Sequence, residues 1–147
     1  MRDQRKVDAE HLKLLAVFHF VLAGLSIFGL LFLFGHWFFM SSIFDNPEMW
    51  KDAKSGAQQP PKEIFAIFKW FYAFMGAMTV GGGLACLISG LCILRRRARM
   101  FSIVVAGVCC LGFPFGTALG VFTLVVLLRE SVREEYEAKA TRAERIA

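Results

Sequence analysis

Polar and apolar residues fall into long alternating blocks along this chain. Residues 12–39 form an apolar run in which Lys13, His19, Ser26 and His36 are the only polar side chains. As a helix this run of 28 residues is about 42 Å long, against a hydrocarbon core of about 30 Å, so it spans with a tilt or a projecting end. A cleavable signal peptide has a shorter apolar region followed by a small-x-small site, and neither feature is present here. A second run, residues 64–94, opens after Pro60-Pro61 and closes at Arg95, Arg96, Arg97 and Arg99. Proline at a first helical turn forfeits no hydrogen bond. Lys69 lies near the start of this run, where its long side chain reaches the interface by snorkelling.

A third run, residues 100–128, is continuous in hydropathy but contains Gly112-Phe113-Pro114-Phe115-Gly116. Proline removes a helix hydrogen bond and drives the preceding residue out of the α region, while glycine supports a turn, so the segment predicts a break. Each arm then reaches a bilayer thickness only by recruiting the arginines at either end, giving spans at 97–113 and 115–131. Basic residues support the hairpin over a single kinked span. The amino-terminal segment carries Arg2, Arg5, Lys6 and Lys13, four arginines follow the second run, and Arg129, Arg133, Lys139, Arg142 and Arg145 follow the third. Cytoplasmic placement of all three groups requires an even number of crossings after the arginine loop.

These patterns predict an all-α integral membrane four-helix bundle in one domain. Two long spans are followed by a short helical hairpin, with both termini cytoplasmic, an external loop at 41–63 and a charged tail at 132–147. Trp37, Trp50, Trp70 and Tyr72 fall at the external ends of the first two spans, as interfacial aromatics do. In the loop, Asp45-Asn46-Pro47 predicts the start of a short surface helix that dips Trp50 toward the membrane. The tail, with Glu135 and Lys139 at helical spacing, predicts a helix continuing from the last span.

Composition agrees with a bilayer: of 147 residues, 56% are hydrophobic and 20% charged, too apolar for a soluble domain of this size. The net charge of +5 reflects topology and contact with membrane lipid, and no basic aromatic surface suggests nucleic acid. Cys86, Cys92, Cys109 and Cys110 all lie in apolar runs, where they read as small space-fillers and not as a disulfide framework. His19 and His36 are about 25 Å apart along one helix and share no site, so no metal or haem set can be assembled, short of a homodimer pairing His19 with its mate. No nucleophile with a base and no phosphate loop is present either. The sequence predicts a protein that is not an enzyme and has no cofactor.

Features for helix association are frequent. Ala73, Ala77, Gly81, Ala85 and Ser89 recur at every fourth position of the second span, and Gly116 and Gly120 repeat the device in the last. Helices in lipid associate where small side chains let backbones approach. Two readings of the ladder stay open, packing against the chain's own hairpin and a subunit interface. Gly112, Pro114 and Gly116 are read as a hinge.

The run Phe113-Pro114-Phe115-Gly116-Thr117 and the residues to Leu124, preceded by a basic loop and a short apolar arm, resemble the carboxy-terminal hairpin of small uncharacterised bacterial four-helix inner-membrane proteins. The resemblance implies this topology and a bacterial inner membrane. It covers the last third of the chain and brings no activity with it. The expected function is non-catalytic: assembly with itself as a homo-oligomer, or service as an accessory subunit of a larger membrane protein complex. The alternative is a subunit of an oligomeric channel with Thr79, Ser89 or Thr117 toward a lumen.

Overall fold

The computed structural model describes residues 2–46, 62–112 and 114–145. The described residues form five helices, with short turns and no strands. In chain order they are α1 (Arg2–Phe44), α2 (Lys62–Arg95), α3 (Arg99–Cys109), α4 (Phe115–Leu127) and α5 (Glu130–Glu144). Two of them, α1 and α2, are long and apolar enough to cross a membrane.

The first helix begins ten residues before the apolar run, because Arg, Gln, Lys and Glu are good helix formers and nothing in the amino-terminal segment breaks the ladder. It ends at Phe44, with Ser41 and Ser42 donating back to the carbonyls of Phe38 and Phe39. Asp45 and Asn46 close α1, their N–H groups donating to the carbonyls of Ser41 and Ile43. The surface helix expected beyond it, with Trp50, lies outside the described residues.

The second helix ends in a Schellman motif, the N–H of Arg97 bonding the carbonyl of Cys92 and that of Arg96 the carbonyl of Ile93. Arg96 takes the left-handed conformation usually given to glycine, and Ala98 does the same at the start of α3. Two non-glycine residues in this region, at about 1–3 kcal/mol each, hold a tight turn between α2 and α3.

The chain divides into two compact units. One comprises Met1–Gly24 and Leu84–Ala147, the other Leu25–Gly83. In the first, α3 and α4 form an antiparallel hairpin: Arg99 Nε, at the start of α3, donates to the carbonyl of Leu127, at the end of α4. At the turn, Thr117 Oγ1 donates to the carbonyl of Cys110 at 2.7 Å. The arms are 11 and 13 residues long, shorter than the spans at 97–113 and 115–131 that sequence predicts. The tail does not continue straight from α4. It turns through 71° and returns as α5, placing Val132 and Tyr136 in the core with Leu12, Leu15 and Ile93.

Glycine serves this hairpin by close approach. None of Gly112, Gly116 and Gly120 has a left-handed φ. A Cβ on Gly116 would lie 2.6 Å from the Cys109 carbonyl oxygen, and one on Gly120 would lie 2.5 Å from that of Ala106. Pro114 is the N-cap of α4, and Gly116 lies within α4 where the two backbones touch.

In the second unit α1 and α2 meet through aromatic side chains. Trp37 packs on Phe65 and Tyr72 with ring centroids 5.3 Å apart in each case, and Phe44 packs on Phe65. Phe28, Phe32, Phe34 and Phe74 are exposed, as apolar side chains of a lipid-facing helix pair are.

Candidate functional site

The small-residue ladder of α2 divides along its length. Within the first unit, Ala85 is half-buried and Ser89 fully buried. Gly90 beside them admits the Phe20 ring of α1, which would lie 2.9 Å from an added Cβ. Within the second unit, Ala73, Ala77 and Gly81 are exposed. Added Cβ atoms at Gly76, Gly81 and Gly82 would meet nothing within 4 Å. A shallow groove of about 290 Å³ runs beside Ala73 and Gly76 against Leu33, Phe34 and Trp37. The rungs nearest the carboxy-terminal end of α2 are therefore covered within the first unit, and the earlier ones stay open. Gly116 and Gly120, the other small-residue pair, are taken up inside the chain by α3.

The hydroxyls considered for a pore lining turn to their own chain. Thr79 donates to the carbonyl of Met75, Thr117 to that of Cys110, and Ser89 has no exposure.

Buried polar groups concentrate in the first unit. His19 donates from Nδ1 to the Leu15 carbonyl at 2.9 Å, leaving Nε2 without a protein partner. The hydroxyls of Ser89, Ser102 and Thr123 also lack one among the described residues. His36, in the second unit, shares a hydrogen bond between its Nδ1 and the Tyr72 hydroxyl, with the rings stacked at 5.7 Å. Among the described residues no group of three or more His, Cys, Asp and Glu is placed to hold a metal. The thiols of Cys86 and Cys109 approach to 3.7 Å across α2 and α3, a pairing that sequence spacing gave no reason to expect.

At one end of the first unit a polar junction ties the amino terminus to the carboxy-terminal helices. Asp8 is only 1% exposed. Its Oδ2 accepts from Ser131 Oγ at 2.6 Å, and its Oδ1 accepts from Arg129 Nη1 at 3.2 Å. Sequence reasoning passed over Asp8 because it lies in a charged, apparently solvated segment. Its only signal was an acid among the basic residues that precede the first run.

At the α2–α3 turn and α5 is a cavity of about 640 Å³. Its walls include six cationic side chains, Arg96, Arg97, Arg99, Arg133, Lys139 and Arg142, and one carboxylate, Glu137. Arg96 is paired with Glu135 and Arg133 with Glu137. Tyr136 forms part of the floor. Burial pushes its phenol up to about 12, with the positive charges of Arg96 and Arg99 opposing the shift. Comparison with known protein families, with curated proteins and with solved structures finds no match.

Proposed function

We propose that this chain is a non-catalytic multi-pass protein of a bacterial inner membrane that works by assembly, with further copies of itself or as an accessory subunit of a larger membrane complex. The observation that carries the reading is the exposed upper ladder of α2. Ala73, Ala77 and Gly81 present small side chains at every fourth position, with open space over Gly81. Lipid chains are as apolar as the helix surface, so a face of this kind gains little by meeting lipid. It gains by admitting another helix backbone. A second copy offers the same face, and a self-complementary surface of this kind closes with two-fold symmetry.

A topology with both termini cytoplasmic is supported by the four arginines clustered where α2 ends and α3 begins. It is supported also by the contacts of Asp8 with Arg129 and Ser131, and of Arg96 with Glu135, which gather the amino terminus, the arginine turn and α5 at one end of the first unit. The channel alternative has less support, since the candidate pore hydroxyls are committed or buried within one chain.

The test is the native mass of the full chain in mild detergent, for the natural sequence and for Gly81→Leu. We expect an oligomer for the first and a folded monomer for the second, because nothing in the chain itself crowds Gly81. A monomeric natural protein that copurifies with no partner would overturn the reading.

A further inference from the structure

The arginine turn is more basic than topology alone demands. A positive-inside signal needs charge in the loop. It does not need the cations of α5 to converge on the same cavity. Arg133, Lys139 and Arg142 do so, opposite Arg96, Arg97 and Arg99. Arg97, Lys139 and Arg142 have no acidic partner among the described residues.

The backbone adds to this charge. The first residues of α3 line the cavity, and Ala98, its N-cap, makes no side-chain capping bond. The opening N–H groups of a helix are unpaired and carry its partial positive charge, an arrangement that favours a phosphate oxygen. Beside them Met100 is 72% exposed, at the point where apolar α3 begins. A bound anion would therefore have hydrocarbon directly adjacent.

We propose that this cavity binds the phosphate headgroup of an anionic phospholipid, with its acyl chains against Met100 and α3. A soluble phosphate would satisfy the cations and N–H groups equally well. It would leave the adjoining apolar surface unused, and this favours the lipid. The inference is independent of self-assembly through α2, which involves other residues.

The test is a titration of the detergent-solubilised full chain by native mass spectrometry, with phosphatidylglycerol, phosphatidylcholine and inorganic phosphate as separate probes. The natural protein should retain phosphatidylglycerol at least tenfold more tightly than phosphatidylcholine. The variant Arg97→Gln/Lys139→Gln/Arg142→Gln should lose roughly 100-fold in that affinity, from the usual contribution of a basic residue near an anionic headgroup. A control of equal charge, Lys6→Gln/Lys13→Gln/Arg145→Gln, should stay within about threefold. If the triple variant melts early without lipid, Arg97→Gln and Arg142→Gln are tested singly, each with an expected loss of about fivefold. Equal losses in the cavity variants and their controls would overturn the proposal, as would indifference to lipid charge. Saturation by inorganic phosphate with no further gain from phosphatidylglycerol would replace it with a soluble-anion site.

Discussion

Removing the Asp8 carboxylate should destabilise the first unit more than any other change in the charged amino-terminal segment. Asp8 is 1% exposed, and both of its oxygens are engaged across the bundle. The bond from Ser131, a short one to a charged acceptor, is worth about 1.5–3 kcal/mol. The contact with Arg129 is weaker, since that side chain is 38% exposed and water screens it, at roughly 0.2–1 kcal/mol. Asp8→Ala should therefore cost about 2–3 kcal/mol, or about 5–10 °C in melting temperature for a chain of this size. Asp8→Asn keeps an acceptor for Ser131 and should cost about half as much. Circular dichroism melts of the detergent-solubilised protein measure both. A cycle with Ser131→Ala isolates the pair: if the contact is real, the double variant should fall short of the summed single effects by about 1 kcal/mol. Additivity within about 0.5 kcal/mol, or an Asp8→Ala protein that melts with the natural one, would refute the reasoning.

Other sites make distinct demands. Gly116→Val and Gly120→Val should each sharply lower the yield of monodisperse protein, since their Cβ atoms would collide with α3 carbonyls, whereas Phe115→Leu, at a ring 80% exposed, should not. Treatment with copper phenanthroline, the oxidant, should join Cys86 to Cys109 and leave two titratable thiols of the four, an outcome lost in Cys109→Ser. The Tyr136 phenol, raised to about 12, loses its proton in the unfolded chain near the ordinary value of about 10, so its contribution to stability is full below pH 10 and lost as pH rises through 12. Melting temperature should accordingly fall across that window, and fall less in Tyr136→Phe.

What sequence alone determined is what depends on neighbours in the chain. Long apolar blocks announce membrane helices because hydropathy is a property of consecutive residues. Gly112-Phe113-Pro114 announces a break because proline acts on its own residue and the one before it. The arginines that follow Leu94 marked the end of α2 for the same reason, although the left-handed Arg96 left no trace in a run without glycine.

Tertiary structure decided what depends on the rotation and register of one helix against another. Every fourth residue of α2 looked alike in sequence. Only packing separated Ser89, fully buried, from Gly81, where an added Cβ meets nothing. Asp8 found Ser131 across 123 positions of chain, and Cys86 found Cys109 across 23. The basic cavity likewise required α5 to turn by 71° and bring its cations to the arginine turn. Charge and periodicity name the residues able to meet. Which of them do meet is settled by how the helices interlock, because close packing admits few arrangements and local sequence does not specify which one.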